Sequence, residues 1–205
     1  MTADFWIIIP SRAPGRGKSR LAPLLDQDQR RAASRAWLRH VVALARQAAG
    51  AQRTVVVSRS GEVLGLARRM GVRPLRERGG AQGAGLNPAV HQATQFAQQR
   101  GARAIAVLHA DLPELHVADI GCLLRSLVQP GIALAPDRDL QGTNALALRP
   151  APRSNFDFKF RFGVSSFDRH RAEARRHRIR VRVIVRPGLA RDVDTPAHYE
   201  ALARV

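Results

Sequence analysis

Short apolar, β-branched runs alternate with helical stripes along nearly the whole chain, and this alternation is what most limits its possible folds. Phe5-Trp6-Ile7-Ile8-Ile9 is an unbroken apolar run closed by Pro10 and reads as a buried strand over 5–10. Residues 28–49 put Ala33, Trp37, Val41, Leu44 and Ala48 on one helical stripe, and Arg53-Thr54-Val55-Val56-Val57-Ser58 is a second strand. The pattern continues with a helix over 62–70, a strand at 72–75, a glycine-rich loop at 79–85 and a helix over 88–100. Asn87 is the expected N-cap of that helix, with Pro88 at its first position, where a missing N–H costs nothing. A strand at 104–108, a helix over 117–128 and strands at 132–135 and 144–148 follow. The tail supplies a helix over 167–177, an alternating strand at 179–183 and a closing helix over 196–203. Strands separated by helices need crossover connections, which predicts a mainly parallel mixed sheet covered on both faces. The expected architecture is therefore α/β, one three-layer α/β/α domain over 1–205, with ligands bound at the carboxyl ends of the strands.

Charge narrows the class of ligand. The chain carries 34 Lys+Arg against 16 Asp+Glu, a net +18, and every cation except Lys18 and Lys159 is Arg. Such a balance points to a polyanion: nucleic acid, an anionic membrane or a phosphorylated ligand. The charge is unevenly placed, at +6 over 1–50, +6 over 51–100, −1 over 101–150 and +7 over 151–205. The acidic island holds Asp111, Glu114, Asp119, Asp137 and Asp139. A single cysteine, Cys122, excludes an internal disulfide framework or a thiolate metal cluster within one chain and fits a reducing, cytoplasmic setting. The N-terminal apolar run is far short of the ~20 residues of a membrane span and lacks the flanks of a signal peptide. No membrane partner is expected. With 45% apolar residues the chain is too hydrophobic for a disordered basic protein.

Candidate chemistry sits after the strands. Gly17-Lys18-Ser19 looks like the end of a phosphate-cradling P-loop, but that motif needs glycine at position 12, which is Arg. What remains is a loop carrying Arg12, Arg16, Lys18 and Arg20, cations able to surround a triphosphate or to form a solvated basic loop. The loop at 79–85 lacks the third glycine of a dinucleotide fingerprint, yet its glycines before a helix allow close backbone approach to a flat ligand. Asp111 stands just past a buried strand and before Leu112-Pro113, suited to presenting a carboxylate to a hard divalent cation. Its structural alternative is a helix cap. Asp192 and Asp194 lie two apart on an extended segment, which predicts opposite directions and only one of them facing the Asp111 site; capping of the helix at Pro196 by Asp194 or Thr195 is the alternative. Gly142-Thr143-Asn144 and Phe162-Gly163-Val164-Ser165-Ser166-Phe167 are turns with hydroxyls at the start of a strand and a helix, suited to an anion or to simple capping. The seven histidines (40, 91, 109, 116, 170, 177, 198) show no metal-ligand spacing, and no nucleophile triad is visible.

Taken in order, 10–21, Gly85-Leu86-Asn87, His109-Ala110-Asp111-Leu112-Pro113, Ala135-Pro136-Asp137, Gly142-Thr143-Asn144-Ala145-Leu146, Phe162-Gly163 with Ser165-Ser166-Phe167, and Asp192-Val193-Asp194-Thr195-Pro196 resemble the 2-phospho-L-lactate guanylyltransferase family. The family's fold is that of nucleotide-diphospho-sugar transferases. The resemblance implies an enzyme that joins GMP from GTP to a phosphorylated three-carbon acid and releases pyrophosphate, in coenzyme F-420 biosynthesis. The acid would be 2-phospho-L-lactate, phosphoenolpyruvate or 3-phosphoglycerate. It further implies catalytic roles for Lys18 and Asp111, nucleotide binding by Arg12, Lys18, Leu86 and Asn87, and binding of the phosphorylated acid by Thr143, Gly163 and Ser166. Mg2+ would sit among Asp111, Asp194 and Asp192, with Asp194 preferred over Asp192, and the product would pass to a downstream enzyme of coenzyme F-420 assembly. Three departures stand out. Arg12 replaces a lysine common in relatives, His109 and Glu114 stand where many have an apolar residue or Pro, and the stretch 151–161 is longer and more basic than expected.

Nucleotidyl transfer to a phosphate needs no general base, because the nucleophile is already an anion, so positioning and charge neutralisation carry the rate. That fits the missing triad. The alternatives are another nucleotidyltransferase of the same fold, such as the molybdenum-cofactor type, and a basic nucleic-acid-binding module. Aromatic residues at 5% and the lack of a nucleic-acid motif weigh against the module. Monomer and homodimer both remain open.

Overall fold

The computed structural model describes residues 5–14, 18–79, 85–151 and 158–202. Among them seven strands form one sheet: β1 (Phe5–Pro10), β2 (Thr54–Ser58), β3 (Arg73–Arg76), β4 (Ala104–Leu108), β5 (Gly131–Pro136), β6 (Thr143–Arg149) and β7 (Val181–Val183). Their order is β3-β2-β1-β4-β6-β5-β7, with β6 antiparallel to both β4 and β5 and all other pairs parallel. The chain winds outward from β1 through β2 to β3, then returns to place β4 on the other side of β1. That reversal opens a crevice beyond the carboxyl ends of β1 and β4.

Among the described residues seven helices accompany the sheet: α1 (Gln27–Ala49), α2 (Gly61–Arg69), α3 (Leu86–Gln98), α4 (Val117–Arg125), α5 (Ser166–Arg176), α6 (Pro187–Ala190) and α7 (Pro196–Leu202). The pleat sends alternate residues to opposite faces. Phe5, Ile7, Ile9, Ala104, Ala106 and Leu108 therefore pack against residues of α1, α2 and α4, such as Leu38, Val63 and Leu123. Trp6, Ile8, Ile105 and Val107 pack on the other face against Ala89 and Val90 of α3, Phe167 of α5 and the run Phe158, Phe160, Phe162. Ile7, Ile8 and Ile9 are all fully buried, each stabilising by about 1.5–3 kcal/mol relative to exposure. Three consecutive isoleucines can be buried only if both faces are covered, and this is the expected three-layer α/β/α arrangement.

Three local expectations change. Helix α3 starts at Leu86 with Gly85 as N-cap, so Asn87 and Pro88 lie inside its first turn; the Asn87 amide is bonded across the molecule instead of to its own helix. Helix α4 ends at Arg125 rather than 128. The strand expected at 179–183 shrinks to β7, because Arg178 takes a left-handed conformation (φ 54°) and the Ile179 N–H closes on the Ala174 carbonyl of α5. The short helix α6, absent from the sequence reading, packs Gly188 so closely that a Cβ there would lie 2.7 Å from the Glu114 carbonyl and collide with the Asp119 carboxylate. This approach ties the stretch leading to Asp192 onto the segment that follows β4.

Candidate active site at the carboxyl ends of the strands

Lys18 arrives from the loop after β1 in a left-handed conformation (φ 61°), immediately before a single 3-10 turn, Ser19–Leu21. Leu21 is fully buried beside Trp37 in a small cluster that also holds Leu25 and Val193. This anchors the loop and aims the Lys18 side chain inward, with its ammonium 6.0 Å from the centroid of the Trp37 ring. The ammonium donates to both Asp111 and Asp194.

Asp111 comes from the end of β4. The following helix starts at Val117 with His116 as N-cap, and Asp119 accepts from the His116 N–H at 3.0 Å, so Asp111 has no capping duty. Thr195 does the same service for α7, accepting weakly from the His198 N–H at 3.4 Å, which leaves Asp194 free. Asp192 accepts from the Asn144 amide at 3.3 Å; that amide also donates to the Ala190 carbonyl, and the Asn144 carbonyl accepts from the His109 N–H at 3.0 Å. Asn144 thus links the end of β4, the start of β6 and the segment carrying Asp192.

One expectation is overturned here. Asp192 and Asp194 do not point to opposite sides: Asp111, Asp192 and Asp194 each offer an oxygen, and these oxygens all lie within 4.8 Å of one another. Strand alternation requires a regular pleat, and 191–194 has none; the turn out of α6 leaves Arg191 at ψ 77°, and both carboxylates converge.

The electrostatics of the cluster are unbalanced. Burial, the largest influence on Lys18, disfavours its charge, but Asp111 and Asp194 outweigh it and its pKa rises. Asp111 is partly buried; burial pushes its carboxyl up, yet the charges of Lys18 and His109 pull it below its ordinary value. Asp192 goes the other way, raised first by burial and then by the repulsion of Asp194 and Asp111. Among the described residues one ammonium faces three carboxylates, and the buried Oδ1 of Asp111 has no hydrogen-bond partner. Three hard oxygen donors, an excess of negative charge and an orphaned buried carboxylate oxygen fit a hard divalent cation.

A second group of residues forms the far wall. The Asn87 amide donates to the Phe162 carbonyl at 3.0 Å and accepts from its N–H at 2.8 Å, joining the start of α3 to the turn before α5. Gly85 (φ 147°) and Gly163 (φ 122°) border that junction, with nothing among the described residues within 4 Å of where a Cβ would stand. Thr143 and Ser166 are buried. The Thr143 hydroxyl lies 3.0 Å from Nδ1 of His170, while His170 Nε2 accepts from the Arg161 N–H at 3.0 Å. With Nε2 an acceptor the ring is neutral and Nδ1 donates to Thr143. Burial foremost, then the positive charges of His109 and Arg161, hold His170 at about 3. The Asp137 carboxylate accepts from the N–H groups of Gln141 and Gly142, shaping the turn into Thr143, and the Phe167 N–H donates to the Gln141 carbonyl, docking the two turns. Of the four non-glycine residues with positive φ among the described residues, Lys18, Leu140 and Ser165 lie on these loops, a clustering of local strain typical of functional sites.

The structure thus brings Lys18, Asp111, Asp192 and Asp194 together and sets Asn87, Gly163, Thr143 and Ser166 into one adjoining wall. Arg12 lies on the β1 loop without a side-chain partner among the described residues; Arg16 and positions 80–84 and 152–157 fall outside them. The sequence reading missed Asn144 and His170 as site-shaping residues. The only signal for Asn144 was its place beside Thr143 in a turn entering a strand. His170 carries none, since a lone histidine in an arginine-rich helix looks like surface.

The sheet has known counterparts. A Desulfovibrio desulfuricans protein assigned as a nucleotide-diphospho-sugar transferase superposes with a TM-score of 0.76 at 18% identity, over 98% of this chain and 87% of that one. CMP:2-keto-3-deoxy-manno-octonic acid synthetase complexed with CTP superposes at 0.63 and 17% identity, covering 98% and 97%. The fold is therefore nucleotide-diphospho-sugar transferase-like. In sequence, a phosphoenolpyruvate guanylyltransferase of Sphaerobacter thermophilus is 38% identical over 96% of this chain and 91% of its own length. One from Rubrobacter xylanophilus is 39% identical over 70% and 68%. The family model described as Guanylyl transferase CofC like matches residues 5–202, and the chain belongs to that family.

Proposed function

We propose that the protein is a guanylyltransferase that moves GMP from GTP onto the phosphate of phosphoenolpyruvate, with Mg2+ held by Asp111, Asp192 and Asp194 and with pyrophosphate released. The observation that carries this reading is the convergence of those three carboxylates with Lys18 at the crevice between β1 and β4, in a chain whose similar relatives bear the name phosphoenolpyruvate guanylyltransferase. A bound Mg2+ supplies charge neutralisation at the phosphates and orients them for displacement.

The chain's own residues do the rest. Lys18, on the loop after β1, would offer the transferring phosphate a point charge. Arg12 extends the positive wall along the triphosphate. The backbone at Gly85 and Leu86 admits the base, while Asn87 serves by clamping this loop to Phe162, so that the nucleotide and acceptor walls form one unit. Gly163 opens the turn on which the phosphorylated acid sits, beside the first turn of α5, whose positive end favours an anion. Thr143, held by neutral His170, and Ser166 support that turn from beneath. The acceptor phosphate needs no base to activate it, so aligning it in line with the α-phosphorus accounts for most of the catalysis. 2-Phospho-L-lactate and 3-phosphoglycerate would be poorer acceptors of the same chemistry, and the resemblance to the guanylyltransferase family supports a role in coenzyme F-420 assembly.

The test is the mass of the product. With GTP, Mg2+ and each of the three acids in turn, phosphoenolpyruvate is expected to yield the guanylylated adduct and pyrophosphate fastest. A faster reaction with either other acid, with CTP or ATP, or no adduct at all, overturns the assignment.

A further inference from the structure

Opposite the carboxylate cluster, at the amino ends of the same parallel strands, lies a cavity of about 540 Å³ lined by Trp6, Gln52, Arg53, Arg73, Arg100, Gly101 and Arg103. Its four arginines come from four different segments: the residue before β2, the first residue of β3, the turn after α3 and the residue before β4. No carboxylate lines it among the described residues. Some arginines elsewhere are neutralised, Arg31 and Arg35 by Glu62, Arg59 by Glu77, Arg186 by Asp119 and Arg191 by Glu114, while others, such as Arg12, have no acidic partner among the described residues. Here the guanidinium groups of Arg53 and Arg103 make no ion pair or hydrogen bond within the described residues. Arg73 and Arg100 are fixed without being neutralised. Arg73 donates to the Gln52 carbonyl at 2.8 Å and stands 5.8 Å from the centroid of the Trp6 ring. Arg100 donates to the Phe96 carbonyl at 3.3 Å and lies 3.7 Å from the centroid of the Phe96 ring.

The carbonyl end of α3 accounts for a cation at Arg100, but Arg53, Arg73 and Arg103 flank strand starts, which carry no comparable dipole. Four like charges around one concavity repel one another, and an anion relieves that repulsion. Guanidinium forks match phosphate oxygens in pairs, and two of the four are held in place beforehand, which lowers the entropic cost of ordering them on a ligand. The volume lies within the range of small-ligand sites. We infer that this cavity is a second anion site that binds a diphosphate group, free or as part of a nucleotide, independently of the crevice between β1 and β4.

The experiment is calorimetric titration of metal-free protein with inorganic diphosphate at about 0.15 M salt, where exposed charges more than ~8 Å apart are largely screened. The comparison is wild type against Arg53→Glu/Arg103→Glu, and separately against Arg53→Gln/Arg103→Gln, which removes the charge with less risk to folding. Wild type is expected to show a class of sites that both double variants lose or bind at least tenfold more weakly, while their turnover stays within about twofold of wild type. GDP is titrated in parallel: binding at this site tighter than diphosphate identifies a nucleotide as the occupant, and equal binding identifies the diphosphate group alone. Isotherms unchanged in the glutamine variant, or a wild-type isotherm that sulfate at matched ionic strength reproduces, overturn the proposal.

Discussion

The two ends of the central strands β1 and β4 carry opposite chemistries on the same scaffold. At the carboxyl ends, three carboxylates crowd around one ammonium and leave negative charge uncompensated. At the amino ends, roughly 17 Å away along β1 at about 3.3 Å per residue, four arginines surround a cavity that no carboxylate of the described residues lines. The net charge of +18 therefore says little about either end. What matters is which charges lack an internal partner, because those are the ones free to meet a ligand.

Substitutions can break this contrast at either end. The largest effect is expected from Asp111→Asn, which removes the partly buried carboxylate charge facing Lys18. Guanylyl transfer should fall on the order of 100- to 1000-fold, the scale for deleting one electrostatic contact to a reacting group, while circular dichroism stays unchanged. Turnover near wild type in a pyrophosphate-release assay would remove Asp111 from the mechanism. Next is Asn144→Ala, which leaves all three carboxylates but frees Asp192 from its orienting amide. The Mg2+ concentration for half-maximal turnover should rise about tenfold, as for other partners of metal ligands, with saturated turnover less affected. An unchanged Mg2+ dependence would show that Asp192 needs no such support.

A smaller effect concerns stability. His170 is neutral in the fold, at about 3 against an ordinary 6.5, so between those values the unfolded chain binds a proton that the folded chain does not. Its contribution is complete above pH 6.5 and is lost as pH falls towards 3, at up to about 1.4 kcal/mol per pH unit. Asp111, held low in the fold, acts in the same direction, so the measurement is a comparison. Denaturant unfolding from about pH 7 to about pH 5 should cost wild type at least ~1 kcal/mol more than His170→Gln. Equal slopes would mean that His170 is protonated in the fold. At the arginine end, Arg53→Glu/Arg103→Glu is expected to leave transfer nearly untouched while losing a diphosphate site, the smallest effect on turnover and the sharpest separation of the two ends.

Much of the fold was legible because its signals are local. Ile7-Ile8-Ile9 before Pro10, the stripe through Trp37 and Val41, and the run Val55-Val56-Val57 each state their own structure, and their spacing demands crossovers. Asn87 shows where this fails. A cap and a cross-molecule amide clamp look identical in sequence, because both need an Asn beside a helix start, and only the arrival of Phe162 decides between them. The metal cluster was half legible for a similar reason. Asp111 could be found from a strand and a proline, whereas the shared direction of Asp192 and Asp194 depends on α6, whose position follows from Gly188 fitting against Glu114 and Leu115.

From sequence alone came the α/β layering, the crevice-side loops, the carboxylates, Lys18 and the resemblance to guanylyltransferases, all carried by hydrophobic period and short motifs. Tertiary structure alone decided that both tail aspartates join Asp111, that Asn144 and His170 shape the site, and that Arg53, Arg73, Arg100 and Arg103 share one cavity. Periodicity reports which way a residue faces within its own element. Convergence of residues distant in sequence depends on how the elements pack, and packing is a property of the whole chain.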